Sequence, residues 1–177
     1  MEVGAMVIAV TGVVGTLGGA LLTQRGSARA KRREMELLHR HDAVRESEAL
    51  RRSCYVELNR DARQFTTALN RHLHVMREGA VEDVDRDALE AAKDAHRDRY
   101  SEAQMIAPDE VLARARLVNR ALYQLYGQVK RLERGAPAPG ETVGTAARAK
   151  DEVWELIAAM RVAMRQDLGV SDGSLSA

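Results

Sequence analysis

Few residues of this chain have types and spacings that could do chemistry, and the clearest are Glu36 and His39. Residues three apart share one face of a helix, and this ExxH spacing supplies two ligands to the di-iron sites of helical bundles. Such a site also needs a second ExxH motif and two further carboxylates. The chain has no second ExxH motif, so we predict no metal site.

The other histidines and the single cysteine lack the neighbours that reactive side chains need. His39 and His41 are two residues apart, as are His72 and His74. Side chains at this spacing point to different helix faces, so we expect them in solvent or at the rim of a core. Cys54 has no CxxC partner and no evident histidine or acid to activate it, so we expect a small core residue.

The familiar catalytic motifs are missing from the sequence. No Gly-rich phosphate loop, GxSxG, HExxH or paired-cysteine zinc pattern occurs, although each of these spacings is what its chemistry requires. We therefore predict no catalytic residue, no cofactor and no enzymatic activity.

An uncharged run extends from Val3 to Leu22 and decides where the rest of the chain is located. About 20 helical residues at about 1.5 Å each reach roughly 30 Å, the thickness of a bilayer's hydrocarbon core. A cleaved signal peptide would carry its positive charges before the run. An interfacial helix would need a strongly polar face, which Thr11 and Thr16 do not make. A buried helix of a soluble protein is the stronger alternative, because five glycines weaken the run. We predict a transmembrane helix within residues 1–24.

A basic neck of residues 25–34 follows the predicted span, whereas the short N-terminal side carries only Glu2 and the α-amino group. Positive residues flank the cytoplasmic end of a membrane helix. We therefore predict a single-pass cell-membrane protein with its N-terminus outside and its C-terminal domain in the cytoplasm. The lipid bilayer is then one partner, and anionic head groups could contact the neck. Its basic residues are Arg25, Arg29, Lys31, Arg32 and Arg33.

Small residues line one face of the predicted span. Gly12, Gly15 and Gly19 follow one another by three or four residues, and the last two form a GxxxG. Such a face lets two helix backbones approach closely in lipid. One expectation is a homo-oligomer formed through this glycine face. The alternative is that glycine and alanine are simply common in membrane spans.

The composition is typical of helices. Aromatic residues make up only 3% of the 177 residues, and 27 basic side chains nearly balance 26 acidic ones. The rest of the chain is mildly acidic once the neck is set aside, so we predict no nucleic-acid partner. A lone cysteine excludes an internal disulfide and suits a reducing cytoplasm.

The first helix after the span is expected to be long. Gly26 and Ser27 offer a place where the membrane helix could bend or end, and apolar spacing then predicts one helix from about Ala28 to Glu78. We expect its near half to be a solvated stalk and its far half to pack. Gly79 suits the end of this helix because glycine is free to adopt positive φ.

Two shorter helices are expected next. The second begins at a cap on Asp85 or Asp87, runs to about Met105 and has little but alanine to bury, which makes it the weakest element of the core. The third begins after Pro108 and ends at Gly135. Its apolar positions step alternately by four and three residues, which predicts a fully buried face.

The fourth helix is expected to start near Thr142 or Thr145 and to end at Leu168, before a disordered tail of residues 169–177. The sequence therefore predicts an all-α protein, with an N-terminal transmembrane helix and an antiparallel bundle or coiled coil of three to four helices in residues 35–168. The predicted core comprises Leu58, Phe65, Leu69, Val118, Leu122, Leu125, Val129, Trp154 and Ile157.

Two stretches resemble known proteins. Val10 to Arg25, VTGVVGTLGGALLTQR, is similar to the N-terminal anchor of small, uncharacterised actinobacterial membrane proteins, some labelled KilB-like plasmid-transfer proteins. Tyr100 to Leu125, which contains AQMIAPDEVLARARLVNRAL, resembles a helix junction of the same proteins. The resemblance implies an anchored cytoplasmic helical domain, and neither stretch contains a catalytic motif.

The leading functional hypothesis is a membrane-tethered, non-enzymatic helical interaction or scaffold module with an unidentified cytoplasmic protein partner. It depends on the long amphipathic faces and on the lack of a reactive constellation. The alternative is a membrane-active protein of a toxin or plasmid-transfer system whose glycine-rich span oligomerises. An enzyme with an unrecognised site is a third hypothesis.

Overall fold

The computed structural model describes the backbone of residues 3–79 and 81–170, and the side chains of Met35 and of residues 39–79 and 81–170. Over this part the secondary structure is four helices, α1 (Val3–Glu78), α2 (Asp83–Ile106), α3 (Asp109–Glu133) and α4 (Val143–Asp167), and no strand. The predicted all-α class is confirmed, with four helices.

The chain divides into two compact units, Met1–Ser47 and Glu48–Ala177. In the first unit α1 continues through Gly26 and Ser27, where the sequence offered a place for the helix to end. A single interior glycine costs a helix only about 1 kcal/mol, so good helix formers on either side can carry it. The side chains of Met35 and of residues 39–47 are exposed, as expected for a solvated stalk.

No helix among the residues with described side chains combines the length and the hydropathy that crossing a bilayer requires. The predicted span of residues 1–24, with its glycine face, and the basic neck of residues 25–34 lie outside those residues. Most of the predicted tail, residues 171–177, also lies outside the described chain.

In the second unit α1 and α2 run antiparallel, as two ion pairs show. Arg99 Nη1 lies 2.9 Å from Glu57 Oε2, and Arg71 Nη2 lies 3.1 Å from Asp85 Oδ1. Moving along α1 from Glu57 to Arg71 moves the partner back along α2 from Arg99 to Asp85 by the same number of residues. The two helices are therefore in constant register over this length.

α4 is also antiparallel to α1. The Tyr55 hydroxyl donates to Asp167 Oδ2 at 2.7 Å, and the Arg63 guanidinium carbon lies 5.8 Å from the centre of the Trp154 ring. Towards the C-terminal end of α1, the residue of α4 that it contacts therefore lies nearer to the start of α4.

α3 runs in the same direction as α1. The Phe65 and Tyr123 ring centres are 6.2 Å apart, and His72 Nε2 lies 3.3 Å from Glu133 Oε2. The second unit is therefore an antiparallel four-helix bundle in which α1 and α3 point one way and α2 and α4 the other.

All four helices contribute apolar side chains to the bundle core. Trp154, one of the predicted core residues, is half-buried and packs against the outside of this core. α2 contributes Leu89 and His96, each only 1% exposed, besides its alanines. The other predicted core residues are all buried, namely Leu58, Phe65, Leu69, Val118, Leu122, Leu125, Val129 and Ile157.

Local signals set the helix ends. Gly79 adopts φ 76° directly after α1, a conformation that glycine adopts without steric cost. At the start of α4, Thr142 Oγ1 accepts from the Thr145 N–H at 3.0 Å, and the Thr142 N–H donates to Thr145 Oγ1 at 2.9 Å. This reciprocal pair satisfies two N–H groups that the helix leaves free.

The predicted start of α2 is wrong, because the cap expected at Asp85 or Asp87 is at Glu82, three to five residues earlier. The helix begins at Asp83, and the N–H of Glu82 donates to Asp85 Oδ2 at 3.4 Å. Asp85 therefore supports the helix start from inside the first turn and is not the residue that precedes it. Several acidic residues follow one another here, and each of them could serve as a cap.

Candidate interaction surface

A surface cleft of about 670 Å³ follows the outer face of α1. Its walls come from α1 between Val56 and His72, from α2 between Asp85 and Leu89, and from Trp154 of α4. We call it the α1 cleft. The α1 residues that line it recur every three or four positions and lie mostly opposite the stripe that packs into the core, so the same helix builds both surfaces.

Three arginines of α1 give the cleft an excess of positive charge. Arg60 Nε lies 2.9 Å from Asp61 Oδ1, and its side chain is 54% exposed. Arg71 pairs with Asp85 and is 68% exposed, while Arg63 lies over the Trp154 ring. A guanidinium has five N–H donors, so Arg60 and Arg71 keep donors for further acceptors. The cleft is thus suited to carboxylates.

The floor of the cleft contains buried polar groups. His72 is 1% exposed, and neither of its ring nitrogens has a hydrogen-bond partner among the described residues. From the sequence we expected both His72 and His74 in solvent or at the rim of a core. Of the two, only His74 is exposed. His72 is buried because its position continues the apolar stripe of Phe65 and Leu69.

A charged network lies beside His72 on the α3 side. Glu133 accepts from Arg86 Nε at 2.6 Å and lies 2.7 Å from Lys130 Nζ. Burial opposes ionisation of Glu133, but the cationic side chains of Lys130 and Arg86 outweigh it and lower the pKa to about 2. Glu133 is therefore a carboxylate at neutral pH and fixes the ends of α1, α2 and α3 together.

A second buried histidine, His96, lies between α1, α2 and α3. Its ring stacks on Tyr100 with centres 6.4 Å apart and lies 5.9 Å from the Phe65 ring. Burial lowers the pKa of His96 to about 4, although the nearby Asn119 amide and the charge of Asp61 act in the opposite direction. His96 is therefore neutral at neutral pH and packs as an aromatic core residue.

Cys54 is 6% exposed. Burial raises the pKa of its thiol, and the nearby carboxylates of Glu102 and Glu57 raise it further. A thiol in such surroundings is a poor nucleophile.

No group of three or more metal-binding side chains occurs within the described side chains. Of the ExxH pair, Glu36 lies outside those side chains and His39 is exposed.

A second groove separates α1 from α2 on the same side of the bundle. It has a volume of about 550 Å³ and is lined by Arg60, Gln64, Ala95, Asp98 and Glu102, among others. We call it the α1/α2 groove. Asp61, at its floor, is 4% exposed and lies 3.5 Å from Arg99. Arg60 and Asp98 thus lie at the same height of the bundle.

Sequence reasoning missed the residues that make the α1 cleft. The spacing of Arg60, Arg63 and Arg71 places them on one helix face, and this basic stripe is a signal that could have pointed to the cleft.

Comparison of the chain with protein-family models, with curated proteins and with solved structures gives no match.

Proposed function

We propose that this protein is a membrane-tethered, non-enzymatic helical interaction module that binds a protein partner through the α1 cleft. The observation that supports this most strongly is the composition of the cleft. Exposed arginines surround apolar surface from Val56 and Trp154. Arginine and tryptophan dominate the binding energy of protein interfaces.

The length of the cleft favours a protein partner over a small molecule. From Val56 to His72 the helix rises about 24 Å, and from Arg60 to Arg71 about 16 Å. A compact small molecule cannot reach both arginines at once, whereas a helix of about four turns can. Val56 is also 61% exposed, so one end of the cleft offers an apolar side chain to a partner.

The tether is inferred from the sequence. The uncharged run from Val3 to Leu22 has the length of a span, and the basic neck after it predicts a cytoplasmic bundle. The bilayer is then the first partner, and the cleft offers its binding surface to a partner in the cytoplasm.

A photo-crosslinking experiment in cells tests the binding surface. A benzoylphenylalanine at Thr67, an exposed residue in the α1 cleft, is expected to give a protein adduct after irradiation. The same residue at Val162, which is 52% exposed on α4, is the matched control and should give none. Equal adducts at both positions, or none at either, would refute the cleft as the interaction surface.

The tether is tested on the same cells. Membranes are washed with high salt and then with carbonate, and the protein is expected in the pellet because burial of about 20 apolar residues does not depend on ionic strength. Recovery in the supernatant would show that the N-terminal segment is not a span.

A further inference from the structure

We propose that the partner of the α1 cleft is a second copy of this chain, which lays the outer face of its α2 along the cleft. This inference rests on the proposed function and names the partner for that surface. The α2 outer face consists of Val84, Asp87, Ala91, Ala95, Asp98 and Glu102. These residues are exposed and follow one another by three or four positions, so they form one stripe.

The shape of the α2 outer face suits the cleft. Ala91 and Ala95 at its centre carry no side chain beyond Cβ, which allows two helices to approach closely. Apolar side chains stand near its ends, where Val84 is 62% exposed and Met105 86% exposed. A face with small residues at its centre and apolar residues at its ends is better suited to helix packing than to solvent.

The charges of the two faces are complementary and equally spaced. Arg60 and Arg71 in the cleft are separated by the same number of residues as Asp87 and Asp98 on α2. Because the two helices would pack antiparallel, one register brings Arg60 to Asp98 and Arg71 to Asp87 together. Both ion pairs therefore form in the same register, and a shift of one helix along its axis breaks both of them.

Symmetry selects this register. A two-fold axis parallel to the helices leaves every residue of the second copy at its original height. Within one copy, Arg60 and Asp98 share the α1/α2 groove, and Arg71 pairs with Asp85, two residues from Asp87. Rotation by 180° about such an axis beside the groove therefore places Arg60 opposite Asp98 of the second copy, and Arg71 opposite its Asp87.

Each chain carries both faces side by side, which is the condition for a closed two-fold interface. Two copies held in one membrane meet at a raised effective concentration. Exposed ion pairs that are individually weak can then select the register.

Cysteine crosslinking in the full-length protein in native membranes tests the dimer. Gln64→Cys and Ala95→Cys lie beside the α1/α2 groove, close to the proposed axis, so each should meet its own copy. Mild oxidation is expected to give a disulfide-linked dimer on a non-reducing gel for both. Val162→Cys on α4 is the matched control, and wild type controls for the buried Cys54. Neither should give a disulfide-linked dimer on the gel, although both chains are expected to dimerise without a covalent bond.

Charge reversal tests the register. In the Gln64→Cys background, Asp98→Arg should lower the crosslinked fraction about tenfold, because two like-charge contacts replace two attractive ones. Adding Arg60→Asp should restore it. Glu155→Arg, on an exposed part of α4, is the matched control. Circular dichroism of each variant shows whether its helices are intact.

Several outcomes would overturn the second copy as partner. The first is crosslinking at Val162→Cys equal to that at Gln64→Cys. The second is no effect of Asp98→Arg in a folded variant. The third is a photo-adduct of foreign mass at Thr67 without a disulfide-linked homodimer at Gln64→Cys or Ala95→Cys. The last result would leave the interaction module standing. Release by carbonate with crosslinks intact would instead refute the tether and retain the dimer.

Discussion

Buried polar side chains distinguish this bundle from a purely apolar one. His72, His96, Asp61 and Asp85 are each less than a tenth exposed, and burial of a polar group costs free energy unless it is paired. Asp61 and Asp85 face arginines, and His72 faces Glu133. His96 is held in the neutral form. Asp61 and Asp85 help to fix which helix faces meet, because rotation of a helix would separate these carboxylates from their arginines.

His96 should make the bundle sensitive to mild acid. Its pKa of about 4 lies below the ordinary 6.5, so the folded state binds the proton less well than the unfolded state. The contribution to stability is complete above pH 6.5 and is lost as the pH falls towards 4. A loss of up to about 3 kcal/mol is expected over that window.

Urea unfolding of the wild type and of His96→Gln at pH 7 and pH 4.5 measures this effect. The variant should be less stable at pH 7, by about 1 to 3 kcal/mol, but should lose less than wild type on acidification. His74→Gln, at a side chain that is 67% exposed, is the control and should behave as wild type. A His96→Gln variant with the full acid loss would show that another group is responsible.

At the scale of the helices, the sequence best predicts those helices whose ends carry strong local signals. α3 lies between Pro108 and Gly135 as expected, because proline fits a helix start and glycine adopts the φ of 69° that follows its end. The start of α2 is mispredicted because consecutive acidic residues compete to cap it. His96 is missed although it lies midway between Leu89 and Ala103, seven residues from each, where the heptad pattern would place a core residue.

α3 should be the helix on which the bundle depends most. Leu122 and Leu125 are 0% and 1% exposed at the centre of its buried face, and truncation of a buried Leu to Ala costs about 2 to 5 kcal/mol. Leu122→Ala or Leu125→Ala should therefore strongly lower the free energy of unfolding, measured with urea and circular dichroism. Ala92→Ser, at a half-buried position of α2, should cost much less. Equal and small effects of all three would mean that the helices pack only with a partner.

At the scale of the whole molecule, the sequence predicts the all-α bundle but not the α1 cleft. Apolar side chains reveal the core because burial requires them at regular spacing. The outward residues of α1 are polar, and polar residues at helical spacing are as common on an inert solvated face. Arg60 and Arg71 become a candidate site only when Asp85, Leu89 and Trp154 are brought beside them from other helices. That information is long-range and is not contained in the pattern of one helix.

The orientation of the molecule in the membrane should follow from its charges. The basic neck is proposed to hold the bundle in the cytoplasm, because positive residues resist transfer across the membrane. We expect that changing Arg25, Arg29, Lys31, Arg32 and Arg33 to neutral residues and adding lysines before Val3 inverts or scrambles the protein. Labelling of Val162→Cys by a membrane-impermeant maleimide in intact cells reports the position of the bundle. The parent should not react, because we propose that its bundle faces the cytoplasm, and the charge-inverted variant should. Equal labelling of both would mean that the neck does not set the orientation, and full labelling of the parent would place the bundle outside the cell.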